Sequence, residues 1–260
     1  MSSERARTIR LGDREVARIG LGTNRLQHTS EHAALIRDVV GAGIQHIDTA
    51  HLYTQGASEQ AIGEALAGGR DGVVVATKGG YRAGEGKGSV LREQIAQSLR
   101  SLKVDTIDLY YLHRVDPETP MEESLATIRE HVDQGLIRHV GISEVGVDEI
   151  AKAREIVPIA AVQNQYNLSE RRHDEVVDYC EREGIVFVPF SPLRETGGGE
   201  LAAIAERHGA TPSQIALAWL LRRSPVVLPI PGTLSLEHAR ENLGALDVEL
   251  SDDEFAALRS

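Results

Sequence analysis

Short apolar runs and helical patterns alternate along almost the whole of this 260-residue chain. Successive runs are typically spaced by about 25 to 35 residues, the length of one strand-helix unit. The runs cover residues 18–22, 45–48, 73–77, 107–112, 140–142, 161–163, 185–188 and 226–230. They are mostly apolar on both faces, which is typical of parallel strands covered by helices. Eight such units predict a closed α/β fold, the (β/α)8 TIM barrel.

The intervals between the runs show helical periodicity and end signals. Helices are predicted over residues 31–43, 58–66, 89–102, 121–134, 147–157, 173–183, 211–222, 235–246 and 251–258. Before the first run, residues 8–11 and 15–18 flank a Gly12-Asp13-Arg14 turn and predict an N-terminal β-hairpin. No linker or low-complexity tract divides the chain, so we expect one domain over residues 1–260.

An open doubly wound sheet is the alternative architecture. Such a sheet normally has the pattern G-x-G-x-x-G between its first strand and helix. Here the corresponding residues are Gly20-Leu21-Gly22-Thr23-Asn24-Arg25, which lack the third glycine. The barrel is therefore the favoured prediction.

Charge and cysteine content limit the partners and the cellular compartment that we expect. The net charge of -11 repels phosphate backbones and argues against nucleic acid as a partner. The single cysteine, Cys180, excludes a disulfide within the chain and favours a reducing compartment. Met1 to Arg10 has no apolar run typical of a secretion signal, and no stretch approaches the roughly 20 apolar residues of a membrane span. We expect a cytoplasmic monomer that does not enter membranes.

Four reactive side chains follow three successive strands. Asp48 and Tyr53 lie where the second run ends, Lys78 follows the third and His113 follows the fourth. Strand ends of a barrel converge at one mouth, which is where barrel enzymes place their active sites. We therefore expect these four side chains to lie close together.

The four side chains together suit protonation of an oxygen. A phenol is a poor acid or base near neutrality, and a neighbouring ammonium group favours its ionisation. Asp48 would hold Lys78 charged, and His113 could orient the reacting oxygen through a hydrogen bond. Such a set suits addition of a hydride to a carbonyl, where the new alkoxide must be protonated.

Each of these residues also has a plainer interpretation. Asp48 could cap a turn, Lys78 could be solvated, His113 could be a core histidine and Tyr53 an interface aromatic. Because one barrel mouth collects all four, the active-site interpretation is favoured. His46 and His51 flank Asp48 and suggest a metal site, but a zinc site needs three or four convergent ligands, so no metal is expected.

A series of short motifs follows the strand ends in order. They are Gly20-Leu21-Gly22-Thr23, Asp48-Thr49-Ala50 with Tyr53, Thr77-Lys78, Tyr111-Leu112-His113, Gly141-Ile142-Ser143, Gln163, Phe190-Ser191-Pro192-Leu193, Ile230-Pro231-Gly232-Thr233 and Glu241-Asn242. In order and spacing the chain resembles the aldo-keto reductase superfamily, over nearly its whole length. The resemblance implies a (β/α)8 barrel, NADPH or NADH as cofactor, and reversible reduction of aldehydes or ketones by hydride transfer.

The resemblance also implies roles for individual residues. Tyr53 would be the general acid, Lys78 and Asp48 would tune it, and His113 would orient the substrate carbonyl. The implied cofactor-binding residues are Gly22, Thr23, Asp48, Ser143, Gln163, Phe190, Ser191, Pro192, Leu193, Ile230, Gly232, Thr233, His238, Glu241 and Asn242. Among them, Ser143 and Gln163 would bind the carboxamide and Phe190 would stack on the nicotinamide ring.

Three features depart from the family pattern. Glu144 stands where the family commonly has Asn after the fifth strand, so its role toward the cofactor is in question. Gly232-Thr233 and His238 replace the Lys-Ser and Arg that commonly bind a 2′-phosphate, so NADPH is the first choice and NADH stays open. Residues 194–199 form a short segment and the chain stops at Ser260, which predicts an open, little selective site.

Two other classes of function compete with a reductase. One is a non-catalytic or redox-sensing nicotinamide-binding regulatory module, which the intact set of four reactive residues argues against. The other is a metal-dependent hydrolase or lyase on a barrel, for which the sequence offers no credible ligand cluster.

Overall fold

The computed structural model describes residues 6–194 and 199–258, and its sheets agree with the sequence-based architecture. A two-stranded antiparallel sheet precedes a seven-stranded parallel sheet whose strands follow one another in chain order. The hairpin strands are β1 (Thr8–Leu11) and β2 (Arg14–Ala17). The parallel strands are β3 (Leu21–Gly22), β4 (His46–Asp48), β5 (Val74–Gly79), β6 (Ile107–Leu112), β7 (Ile137–Ser143), β8 (Ile159–Gln163) and β9 (Val186–Phe187).

Ten α-helices lie within the described residues. They are α1 (Ser30–Gly41), α2 (Ala57–Ala65), α3 (Gly88–Leu102), α4 (Met121–Asp133), α5 (Val147–Ile156), α6 (Asp174–Glu183), α7 (Gly199–His208), α8 (Pro212–Arg223), α9 (Leu236–Gly244) and α10 (Asp252–Ala257). Ser and Thr side chains begin several of them, as Thr211 does for α8 by accepting a hydrogen bond from the Gln214 amide. Among the described residues, no helix has both the length and the apolar character of a membrane span.

The eighth barrel strand differs from its prediction. Residues 226–230 were expected to form a regular strand, but they make only isolated parallel bridges, such as Phe187 with Val227. The segment still closes the barrel, because Leu228 N donates to Phe187 O on one side and Gly20 N donates to Pro229 O on the other, both at 2.9 Å. Prolines at positions 229 and 231 have no N–H group, so a continuous ladder cannot form there.

A close backbone approach explains one glycine at this closure. A Cβ atom on Gly22 would lie 2.9 Å from the carbonyl oxygen of Ile230. Gly22 N donates to Pro231 O at 3.2 Å, and Gly22 also bridges Gly232. The barrel therefore closes tightly at the level of the strand ends, where the motifs were found.

The hairpin covers the opposite end of the barrel. Leu11 and Val16 are buried in the same apolar cluster as the interior residues Val74, Leu109 and Ala161. Gly12 has a φ of +64°, a left-handed conformation that suits glycine in this turn. With one end filled in this way, the cavity described below lies at the other end, where the parallel strands finish.

One helix was not predicted from the sequence. Helix α7 buries Leu201, Ile204 and Ala205, which stand at helical spacing. The expected short, flexible segment at 194–199 falls largely on residues 195–198, which lie outside the described residues. The other helices begin and end within two residues of their predicted bounds, while β7 begins three residues before its predicted start.

Candidate active site

Three neighbouring strand ends carry the reactive side chains. Asp48 ends β4, Lys78 is next to last in β5 and His113 directly follows β6. Hydrogen bonds continue past the regular strands, since Thr49 N donates to Ala76 O and His113 N donates to Gly79 O, both at 2.8 Å. The backbone that presents these side chains is therefore fixed by the sheet.

Asp48 and Lys78 form a buried ion pair. Lys78 Nζ donates to Asp48 Oδ1 at 2.5 Å and to Thr49 O at 2.7 Å. The two side chains are 2% and 0% exposed, respectively. Burial alone would lower the pKa of Lys78, but attraction to Asp48 and Tyr53 raises it above its ordinary value. Lys78 is therefore a fixed ammonium group beneath the barrel mouth.

Backbone and hydroxyl contacts hold the Asp48 segment in place. Thr23 Oγ1 donates to Asp48 O at 2.8 Å, and the Thr23 amide donates to the same oxygen at 3.1 Å. Ser58 Oγ lies 2.9 Å from Thr23 Oγ1 and 2.7 Å from Thr49 Oγ1. These bonds connect the ends of β3 and β4 with the start of α2, so the carboxylate has little freedom to move.

Tyr53 begins a short 3-10 helix, Tyr53–Gly56, between β4 and α2. Thr54 and Gln55 have φ angles of +48° and +57°, a left-handed bend that non-glycine residues seldom adopt. Thr54 Oγ1 donates to Leu26 O at 2.6 Å and fixes this bend. The bend places the Tyr53 ring with its centroid 5.0 Å from Lys78 Nζ.

His113 faces Tyr53 and is held neutral. The two ring centroids are 6.1 Å apart in an edge-to-face arrangement. Burial, followed by the positive charges of Lys78 and Arg114, lowers the pKa of His113 to about 2. Its Nδ1 is buried and has no partner among the described residues. A neutral imidazole at this place can donate or accept a hydrogen bond without carrying charge.

A cavity of about 280 Å³ opens at this mouth. It is lined by Gly22, Thr23, Asn24, Arg25, Asp48, Tyr53, His113, Arg114, Ser143, Gln163, Phe190, Ser191, Pro192, Ile230 and Gly232. Thus Asp48, Tyr53 and His113 of the expected catalytic set line the cavity, whereas Lys78 lies fully buried beneath it. Most residues that the sequence assigned to the nicotinamide end also line it.

The remaining expected cofactor residues lie outside this lining. They are Leu193, Thr233, His238, Glu241 and Asn242. Thr233 Oγ1 accepts a hydrogen bond from Ser235 N, and His238 is exposed in the first turn of α9. Glu241 accepts a hydrogen bond from Thr211 Oγ1 at 2.5 Å, which directs its carboxylate toward α8.

Glu144 has a structural partner of its own. Its Oε1 accepts from Gln165 N at 2.6 Å, and its Oε2 accepts from Arg172 Nη2 at 2.9 Å. Glu144 also has a φ of +56° at the end of β7. Its carboxylate is thus engaged by the segment after β8, and Glu144 does not line the cavity.

Four residues at the site were not predicted from the sequence. Asn24, Arg25 and Arg114 line the cavity, and the Tyr81 ring lies 4.8 Å from the His113 ring. Arg114 could have been predicted as a site residue, because it directly follows His113 at a strand end. Tyr81 follows the Gly79-Gly80 pair, which gave no sign of the direction of the next side chain.

Within the described residues, no group of three or more His, Cys, Asp or Glu side chains could hold a metal ion.

Comparisons with known proteins show which family the chain matches. The chain matches the family described as the aldo/keto reductase family over residues 18–198 and 194–260. It is 38% identical to a protein of Schizosaccharomyces pombe named only as an uncharacterized oxidoreductase, over 99% of this chain and 90% of that protein. It is 36% identical to pyridoxine 4-dehydrogenase of Escherichia coli, over 96% of each chain.

A solved structure gives the same picture of the fold. An aldo-keto reductase of Klebsiella pneumoniae in complex with NADPH superposes with a TM-score of 0.88 at 29% identity. The alignment covers 97% of this chain and 93% of that one. The similarity therefore extends over the barrel and the mouth that carries the cavity.

Proposed function

The chain belongs to the aldo/keto reductase family, and from that premise we propose that it reduces aldehydes or ketones to alcohols reversibly, with NADPH as its first cofactor and Tyr53 as the general acid. The observation that carries the proposal is the juxtaposition of Tyr53 with a buried ammonium and a neutral imidazole at one cavity.

The residues around the cavity fit a nicotinamide cofactor. Ser143 and Gln163 end neighbouring strands and are paired in register, so a hydroxyl and an amide stand side by side where a carboxamide can bind. Phe190 offers an aromatic face, and Arg25 Nη2 donates to Gly232 O at 3.5 Å beside the cavity. Ser235 begins α9 nearby, and its helix N-terminus suits a phosphate group.

When bound, a reduced nicotinamide supplies a hydride to the carbonyl carbon. The chain's own residues then manage the oxygen. Tyr53 donates its phenolic proton to the developing alkoxide, and the Lys78 ammonium stabilises the phenolate that remains. Asp48 keeps Lys78 charged, and neither Lys78 nor Asp48 is placed to meet bulk water.

His113 orients the carbonyl in this proposal. Its pKa of about 2 keeps it neutral near pH 7, so it can donate a hydrogen bond to the oxygen without competing as an acid. The proton therefore comes from Tyr53, and His113 sets the angle at which the carbonyl meets it. In the reverse direction the same phenolate accepts the proton of the alcohol.

A regulatory nicotinamide-binding module is the second candidate. It would need the cavity and its cofactor contacts, but it would not need the Lys78–Asp48 pair beside Tyr53. Burying an ion pair is energetically costly unless both groups are well bonded, and here each group is. Binding alone gives no reason for this well-bonded pair to lie beside Tyr53, so its position favours a catalytic role.

Cofactor binding followed by turnover tests the proposal. Calorimetric titration with NADPH and with NADH measures both affinities, and loss of the reduced nicotinamide absorbance measures turnover. The substrate panel contains aliphatic and aromatic aldehydes, simple ketones and pyridoxal, which the name of the Escherichia coli relative suggests. Binding with reduction of at least one aldehyde is the expected result. Binding without turnover supports the regulatory module, and absence of binding refutes both.

A further inference from the structure

A cationic side chain that the proposed reaction does not use lies in the cavity. Arg114 Nη1 donates to His113 O at 2.8 Å and to Ser143 Oγ at 3.0 Å. Its guanidinium carbon lies 5.5 Å from the centroid of the Tyr81 ring and 5.8 Å from that of the Phe190 ring. The group is thus held between two aromatic rings at the edge of the cavity, half-buried and in a defined position.

No carboxylate balances this charge. Across residues 6–194 and 199–258, Arg114 has no salt bridge, and its only hydrogen-bond acceptors are a carbonyl and a hydroxyl. A guanidinium has five N–H donors, and both bonds shown use Nη1. Donors on Nε and Nη2 are therefore available to a further acceptor.

The charges around the cavity make this arginine stand out. The chain as a whole carries a net charge of -11, which does not favour anions. The Asp48 carboxylate that lines the cavity is neutralised by Lys78, and His113 is neutral. The remaining charged groups of the lining are two arginines, Arg25 and Arg114, so the cavity attracts anions.

The two arginines lie at different parts of the mouth. Arg25 bonds to Gly232, which belongs to the closing segment beside α9. Arg114 lies beside His113 and Tyr81, on the side of the cavity that receives the carbonyl in the proposed function. Arg25 is thus placed toward the phosphates of a cofactor. Arg114 lies where the nicotinamide end of the site, at Ser143 and Phe190, meets the side that receives the carbonyl.

We propose that Arg114 selects carbonyl substrates that carry an anionic oxygen group, a carboxylate in the simplest case. The inference rests on the proposed function and adds a substrate class to it. The planar guanidinium can bind a carboxylate through two parallel N–H bonds, while Tyr53 and His113 hold the carbonyl oxygen. The Tyr81 ring lies 4.8 Å from the His113 ring and 5.5 Å from the guanidinium carbon, so the linking part of the substrate would lie near an aromatic ring.

A matched pair of aldehydes tests this selection. 4-Formylbenzoate and its methyl ester differ in charge at one end and present the same aldehyde at the other. The ratio of their kcat/KM values, acid over ester, is measured for the wild type, Arg114→Leu and Arg114→Lys. Arg37→Leu is the control, because it removes the same charge from an exposed position of α1.

The expected result is a ratio above one in the wild type and in Arg37→Leu. We expect Arg114→Leu to lower the ratio by roughly 10- to 100-fold, the loss expected for a hydrogen bond to a charged group. Arg114→Lys should recover part of the ratio, because it keeps the charge without the planar pair of donors.

Two results would overturn the inference. The first is a ratio of one or less in the wild type, and the second is an unchanged ratio in both Arg114 variants. If the unchanged ratio came with an equal loss for acid and ester and weaker NADPH binding, Arg114 would be a cofactor residue. In each of these the ester is still reduced, so the proposed function survives. Failure of the wild type to reduce any aldehyde refutes the proposed function instead.

Discussion

Gln163 Nε2 donates a hydrogen bond to Oδ2 of Asp48 at 2.8 Å, which joins the ends of β8 and β4 across the inside of the barrel. Lys78 occupies the other carboxylate oxygen, so Asp48 has a bonded partner on each side. The resemblance to the reductase family implied that Gln163 binds the cofactor carboxamide. In the proposed function, its contact with Asp48 would connect the cofactor side of the cavity to the catalytic side. Asp48 is held in position by both of these partners.

Replacing Tyr53 by Phe tests the general acid. We expect turnover to fall by about 100-fold or more, the usual contribution of a positioned acid, because the alkoxide loses its proton donor. The dissociation constant for NADPH should stay unchanged, since the ring remains. Steady-state kinetics and calorimetry measure the two quantities. Tyr179→Phe, which removes a phenol on α6 away from the cavity, should keep full turnover. Full turnover in Tyr53→Phe would contradict the assignment.

Replacing Asp48 by Asn leaves Lys78 as a buried cation without a counter-charge. We expect the free energy of unfolding to fall by about 3 to 5 kcal/mol, and the pKa of Lys78 to fall because its main stabilising partner is lost. Urea unfolding at neutral pH measures the change. Glu130→Gln is the matched control, since its pair with Arg92 is about half exposed and should contribute less than about 1 kcal/mol. Equal losses in the two variants would contradict the prediction.

The depressed pKa of His113 makes stability depend on pH. The folded chain leaves His113 unprotonated down to about pH 2, whereas the unfolded chain binds a proton below about pH 6.5. The contribution of His113 to stability is therefore present above about pH 6.5 and is lost as the pH falls below it. In His113→Asn, the fall in the free energy of unfolding between pH 6 and pH 4 should be shallower, by up to about 1.4 kcal/mol per pH unit. Urea titrations that give parallel pH dependences would contradict this.

Replacing His238 by Arg tests which part of the cofactor lies at α9. If the 2′-phosphate lies near the first turn of α9, the new guanidinium should strengthen NADPH binding by roughly tenfold. NADH, which lacks this phosphate, serves as the internal control and should bind as before. Calorimetry on both cofactors measures the difference. No change for either cofactor would place His238 away from the phosphate.

The alternation of strands and helices was readable from the sequence because each apolar run and each amphipathic helix follows a local rule. The eighth strand was not, because the prolines at 229 and 231 remove donors in a segment whose apolar pattern still resembles a strand. Helix α7 was not predicted because residues 194–199 were interpreted as a brief, flexible segment and no helix was assigned after them. Its apolar residues Leu201, Ile204 and Ala205 were the signal that could have identified it.

The proximity of the four expected catalytic residues was predictable because they lie at or shortly after the ends of neighbouring strands, where barrel geometry brings side chains together. The ion pairs around these four residues were harder to predict. Nothing in the order of residues indicated that Glu144 would turn toward Arg172, or that Arg114 would lack a carboxylate. Such pairings depend on side-chain directions across loops, which sequence spacing does not encode.

The proline-containing segment that closes the barrel forms a junction with fewer hydrogen bonds than a regular strand pair. Between residues 20–22 and 229–231 the amides of Gly20 and Gly22 donate to the carbonyl oxygens of Pro229 and Pro231. The two prolines have no N–H group, so they donate no hydrogen bond in the opposite direction. Because this junction has hydrogen bonds in one direction only, it should open locally before the rest of the sheet does. Gly22 stands on one side of it and Ile230 and Gly232 on the other, and all three line the cavity. A cofactor that contacts both sides would hold the junction closed, so that cofactor binding would also stabilise the barrel.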